Sequence, residues 1–263
     1  MKRATEMACL TLGLILPACG GEGDWNLTTW GEDYIESGIP SEVFSDGCSV
    51  TYSAFLVTFT QRQLLTADND IAGELAGTQI YDMTLAGPVV MGTVPVAADH
   101  YDSVSVHVAP GSDAIPGNAS QDQVNAMIDA GSSVAVNGTL TCGGTSKTFN
   151  WSFATSTNYL CEPEDLTIPR DGSDDTQITI HGDHLWYDGL ENPDAQVKGQ
   201  PIFDADNNND GQITQAELEL VGVASLGYDV GRYSDVTNLE QFVSFLTQTL
   251  GHVDGEGHCH TGE

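Results

Sequence analysis

Residues 206–217 read DNNNDGQITQAE, and oxygen-bearing groups recur at alternate positions along them. Asp206, Asn208 and Asp210 stand at positions 1, 3 and 5, Gln212 offers its carbonyl at 7, Thr214 stands at 9 and Glu217 at 12. A hard divalent cation is coordinated by such a ring of oxygens, so the spacing predicts a Ca²⁺ cage. Gly211 at position 6 permits the sharp turn, and Ile213 at 8 is the apolar pin. A frame begun at Asp204 puts Asn209 in the glycine place and Gln215 where a bidentate carboxylate is wanted, so one register is selected. The competing reading is a polar turn rich in Asn and Asp.

A second set of candidate ligands carries nitrogen. His181 and His184 lie in HGDH, just after a strand-like run, and His258 and His260 flank Cys259. Imidazole suits Zn²⁺ and Cu²⁺, and a tail folded back onto HGDH would bring these four rings to one ion. The alternative is a solvated tail with one structural disulfide, and an HGDH that packs beside Trp186 and Tyr187. Gly-x-Ser-x-Gly, His-Glu-x-x-His, a phosphate loop and a dinucleotide fingerprint are absent from the sequence, so a non-catalytic binding or structural module is expected, the alternative being a periplasmic copper- or zinc-handling protein or metalloenzyme built on the four histidines.

The 206–217 loop resembles that of the EF-hand family over its twelve residues, with an exiting helix from Gln215 onward. The resemblance implies a calcium-binding helix-loop-helix in which the ion orders the loop and its exit helix. Gly199 and Pro201 depart from the family by shortening or breaking the entering helix, and Asn208 is uncharged. Residues 229–240, DVGRYSDVTNLE, keep Asp229, Val236 and Glu240 of a second loop but place Gly231 at position 3 and Ser234 at the turn. Such a half could pair Ile213 with Val236 without holding an ion; an ordinary loop before a capped helix is the alternative.

The elements that must position these groups change character along the chain. Period-two alternation dominates residues 48–180: Val104, Val106 and Val108 alternate with Ser103, Ser105 and His107, and Phe149, Trp151 and Phe153 alternate with Asn150, Ser152 and Ala154. One helix is expected at 120–130, capped by Ser120 or Asp122, and two more at 215–223 and 237–250, the last with Thr237 and Glu240 at capping-box spacing. The expected fold is mainly β with a small α subdomain: an immunoglobulin- or transthyretin-like β-sandwich over 46–184, an EF-hand-type helix-loop-helix over 185–252 and a His/Cys tail over 253–263.

Lys2 and Arg3 followed by an apolar run to Cys19 read as an export signal, 1–18. Leu16-Pro17-Ala18-Cys19 resembles the lipobox of bacterial lipoproteins, which implies cleavage before Cys19, acylation of that residue and anchoring in the cell envelope, with other envelope proteins as candidate partners. Residues 19–45 then read as a tether. Cys48, Cys142, Cys161 and Cys259 remain, an even number that favours two disulfides in an oxidising compartment; Cys142 with Cys161 and Cys48 with Cys259 are the expected pairs. With 7 basic against 38 acidic residues, the formal net charge is −31, which repels nucleic acid and attracts cations.

Overall fold

The alternating segments do form strands, and they form more of the chain than the sequence suggests. The computed structural model describes residues 21–257 and 259–262. The export signal, Cys19 with its expected acylation, and His258 lie outside the described residues. The chain begins with β1 (Glu22–Trp30) and a short helix α1 (Glu32–Glu36), then runs through β2 (Ser49–Leu65), β3 (Ile71–Leu75), β4 (Gln79–Asp82), β5 (Val89–Ala97), β6 (Ser103–Val108) and β7 (Ile115–Pro116). Helix α2 (Gln121–Ala130) precedes β8 (Val134–Cys142), β9 (Thr145–Phe153), β10 (Thr157–Cys161) and β11 (Ser173–Ile180). The remainder holds a 3-10 turn (Asp183–Trp186), α3 (Gln200–Phe203), β12 (Gln212–Ile213), α4 (Gln215–Leu218), α5 (Leu239–Leu246), β13 (Gly251–Val253) and β14 (Cys259–Gly262).

These strands make two mixed sheets. The smaller has the order β13-β11-β1-β5, with β1 parallel to β11 and antiparallel to β5. The larger has ten strands along the path β12-β9-β8-β2-β6-β10-β14, with β3 and β4 on β2 and β7 on β4. One hydrophobic core takes Trp25, Leu27 and Ile178 from the small sheet and Phe55, Val104 and Trp151 from the large one, so the two sheets share their buried faces. β6 is buried at Ser103 and Ser105 as well as at its valines, because it lies between β2 and β10 inside the large sheet.

Helix ends follow local chemistry. The Ser120 hydroxyl accepts from the Gln123 N–H while the Gln123 side chain accepts from Ser120, a complete capping box on α2. On α5 the cap is Asn238, whose side chain accepts from the Gln241 N–H; Thr237 instead donates to the Gln241 side chain, one register from the expected pairing with Glu240.

Three expectations are corrected. The segment expected as a tether, 19–45, contains β1, an interior strand of the small sheet with Trp25 and Leu27 fully buried. The region 185–252 is not a separate helical subdomain: β12 joins β9, β13 joins β11, and Leu239, Phe242 and Val243 sit in the common core. The disulfides are Cys48–Cys142 and Cys161–Cys259. Strand order explains the exchange. β2 and β6 separate β8 from β10, which keeps Cys142 from Cys161. The antiparallel pairing of Ser49 with Thr141 brings Cys48 to Cys142, and that of β10 with β14 sets Cys161 opposite Cys259.

Candidate metal centre

Three histidines from three segments converge at the end of the small sheet. His181 follows β11, His184 is on the 3-10 turn, and His252 is the middle residue of β13. Antiparallel pairing of β11 with β13 sets His252 opposite Thr179, and the His181 N–H donates to the Leu250 carbonyl at 2.9 Å. The turn carrying His184 is pinned from the core. Trp186 is fully buried and its Nε1–H donates to the Tyr52 hydroxyl at 2.8 Å, which in turn donates to the Gly182 carbonyl at 2.8 Å.

Ring centroids stand 4.2 Å apart for His181 and His252, 5.1 Å for His184 and His252, and 5.4 Å for His181 and His184. One nitrogen from each ring lies within 4.8 Å of the other two. Metal–imidazole bonds of about 2.0–2.1 Å place ligand nitrogens a little over 3 Å apart, so modest ring rotations complete a three-nitrogen set.

The surroundings fix the rings. His184 Nδ1 faces the Thr249 carbonyl at 2.7 Å, which assigns the proton to Nδ1 and leaves Nε2 as a lone-pair donor. His181 Nε2 faces Glu32 Oε1 at 3.3 Å and the Gly255 carbonyl at 3.2 Å, which assigns its proton to Nε2 and leaves Nδ1. Outer hydrogen bonds of this kind are what hold metal-binding imidazoles in orientation. Asp183, between the two histidines, accepts from the Tyr187 hydroxyl through Oδ2 at 2.9 Å, and its Oδ1 is buried with no hydrogen-bond partner.

Charge is distributed unevenly over the rings. Burial disfavours protonation of His181, but the hydrogen bond and charge of Glu32, with Asp183 and the Gly255 carbonyl, outweigh it and raise the pKa. Burial dominates at His184 and lowers its pKa, helped by the charge of His181 against the opposing charge of Asp183.

His252 is the residue missed by sequence reading. It lies in GHVDGEGHCH, just ahead of the His/Cys tail whose His258 and His260 drew the sequence reading, and the strand register brings it to the HGDH segment. His260, expected here, lies on β14 opposite Leu160 and is exposed among Glu162, Glu164, Asp165, Asp254 and Glu256. Among the described residues the ligand group is His181, His184 and His252, without His260.

The oxygen-rich loop is a different object from the one its sequence resembles. The entering helix α3 and the exiting helix α4 are four residues each, and Ile213 pairs in parallel with Phe149 of β9 instead of with Val236 of a second loop. A cation of the chain itself stands against position 1: Lys147 Nζ is 3.1 Å from Asp206 Oδ2 and 2.9 Å from the Phe203 carbonyl. The Asn208 and Asp210 side chains accept from the backbone N–H groups of Asp210 and Gln212, each at 2.8 Å, as local turn caps. Gln212 is exposed, and Glu217 Oε2 accepts from the Thr214 N–H at 3.0 Å and hydroxyl at 2.9 Å in a capping box. The loop is thus tied to β9, with Trp151 Nε1–H donating to the Ile213 carbonyl at 2.8 Å, and the EF-hand assignment gives way to a sheet-bound turn. The segment that calcium was expected to order as a subdomain is packed into the common core instead. Glu217 Oε1, buried with no hydrogen-bond partner, is not explained by these contacts.

No family model matches the sequence, and no curated protein matches it. Among solved structures, the chain is similar to MbnP from Methylosinus trichosporium at 10% identity and a TM-score of 0.34, over 66% of this chain and 85% of that one.

Proposed function

We propose that this is an extracytoplasmic transition-metal-binding protein that holds one copper or zinc ion on His181, His184 and His252 without catalysing a reaction. The observation that carries the reading is the convergence of three imidazoles within 4.8 Å, two of them with their second nitrogen already engaged by a backbone carbonyl. Neutral nitrogen donors favour the late first-row ions, and copper stands at the head of that order, so Cu²⁺ is expected to bind ahead of Zn²⁺. Glu32, Asp183 and Glu256 lie close enough to act on the rings electrostatically and would offset the charge of a divalent ion. Two disulfides fit an oxidising compartment, where an ion would be taken up or handed on outside the cytoplasm. The acidic surface favours cations and basic partners over nucleic acid.

The test is elemental analysis of protein loaded with Cu²⁺, Zn²⁺ or both, with titration calorimetry of the wild type and the single variants His181→Ala, His184→Ala and His252→Ala. One equivalent of copper, lost in all three variants, is expected. Stoichiometric uptake that survives His252→Ala would remove the centre as the binding site.

A further inference from the structure

Glu32 is the first residue of α1, in the segment that reads as a tether. Its backbone is left-handed, at φ +55°, a conformation that a residue with a Cβ adopts at a cost. Such strain persists where surrounding structure enforces it, and it collects at functional positions. The enforcing contacts are present on both sides. Glu36 Oε1 accepts from Trp30 Nε1–H at 2.5 Å and from the Gly87 N–H at 2.8 Å, which ties α1 to β1 and to the turn before β5. Ile35, fully buried, packs so closely on Gly182 that a Cβ there would lie 2.6 Å from its side chain. Gly182 is the residue between His181 and Asp183, so α1 is seated directly on the segment that presents two of the three ligands.

From this position Glu32 places Oε1 at 3.3 Å from His181 Nε2. The carboxylate is not part of the cluster of ligand atoms, which among the described residues is made by the three histidines alone. It faces Nε2, the nitrogen to which the hydrogen bonds assign the proton, and so leaves Nδ1 as the lone-pair donor.

Resting on the reading of the three histidines as a metal centre, we propose that Glu32 is a positioning residue for it: its strained backbone aims a carboxylate at His181 Nε2, fixing the ring with Nδ1 toward the ion and making that nitrogen a stronger donor to a divalent metal. A carboxylate accepting from the outer N–H of a ligand imidazole raises the basicity of the inner nitrogen, and loss of such a partner lowers metal affinity by about 10- to 100-fold. The strain separates this role from a structural one, because glycine tolerates the backbone and removes the carboxylate.

The experiment compares wild type, Glu32→Gln and Glu32→Gly by Cu²⁺ titration, by electron paramagnetic resonance of the Cu²⁺-loaded protein and by thermal melts without metal. Glu32→Gln keeps an acceptor oxygen but not the charge, and should weaken Cu²⁺ about tenfold; Glu32→Gly should weaken it toward 100-fold. Both should shift the Cu²⁺ hyperfine coupling, while the metal-free melting temperature of Glu32→Gly holds or rises. Unchanged affinity and spectrum in both variants, with the wild type binding, would overturn the role of Glu32 alone. A lower metal-free melting temperature with an unchanged spectrum would make Glu32 structural and overturn it equally. A wild type that takes up no metal would overturn the reading of the centre and this inference with it.

Discussion

The histidine centre and the oxygen-rich loop invite comparison because each gathers potential ligands close together, and they are built in opposite ways. The loop's groups come from twelve consecutive residues, and most of their hydrogen bonds close within those residues: Asn208 and Asp210 cap their own turn and Glu217 caps its own helix. One of its three carboxylates, Asp206, is met by Lys147, a residue of the neighbouring strand. The centre's groups come from the residue after β11, a 3-10 turn and β13, and two of its rings have one nitrogen held by Glu32 and the Gly255 carbonyl or by the Thr249 carbonyl, which turns the other nitrogen of each toward the cluster as a lone-pair donor. A cluster of ligand-type residues points to an ion where the protein orients the donors and does not itself satisfy them.

The largest expected effect breaks the comparison directly. His181→Ala or His252→Ala should lower Cu²⁺ affinity by at least about 100-fold, since each removes one of three nitrogen donors. Asp206→Asn and Asn208→Ala in the loop should leave Cu²⁺ binding unchanged by calorimetry; a comparable loss from a loop variant would erase the distinction between the two regions.

The two disulfides sharpen it next. They span 94 and 98 residues, so chain-entropy arguments give them similar weight, and removing either by paired Cys→Ser substitution should cost about 2–4 kcal/mol in denaturant unfolding. Cys161–Cys259 holds β14, six residues beyond β13 and its His252, whereas Cys48–Cys142 lies beside Gly199 on the approach to the loop. Loss of the first should therefore weaken Cu²⁺ as well as stability, and loss of the second should weaken stability alone. Equal effects on copper from both would argue against this division.

Lys147→Met should lower the melting temperature by less than loss of a disulfide, because it leaves the Asp206 carboxylate, 3% exposed, without its counter-charge. Burial works against that carboxylate, but Lys147 and the Gly211 N–H hold its pKa below the usual aspartate range. A depressed carboxylate contributes stability above its unfolded pKa that is lost as pH falls through the folded one. The deficit of Lys147→Met should accordingly be clear at neutral pH and shrink on acidification; a deficit that grows in acid would contradict the pairing.

The smallest effect concerns protons at the centre. The raised pKa of His181 contributes metal-free stability that is present below the ordinary imidazole pKa and lost as pH rises through the higher folded value. Protons then compete with the ion, so apparent Cu²⁺ affinity should begin to fall above the ordinary imidazole pKa as pH is lowered, and the fall should start at lower pH in Glu32→Gln. Titrations across this range in a non-coordinating buffer measure both curves.

Much of the local structure was legible in the residues. Alternating Val104, Val106 and Val108, and Phe149, Trp151 and Phe153, specify strands because a period of two puts every apolar side chain on one face. Ser120 and Gln123 specify the start of α2 because a side chain three residues away can satisfy an orphan N–H. An even set of four cysteines foretold two bridges, though not their partners. What only the tertiary structure decided depends on pairing between distant strands. β1 alternates over only a short apolar face, Trp25 and Leu27 against Asp24, Asn26 and Thr28, and its parallel pairing with β11 is what makes it interior and carries Glu32 to His181. Strand order assigns the disulfide partners, and the register of β11 with β13 supplies His252. Local hydrogen bonds and side-chain periodicity are encoded within a few residues, whereas a centre built across strands exists only once their register is chosen, and that choice is made by burial over the whole core.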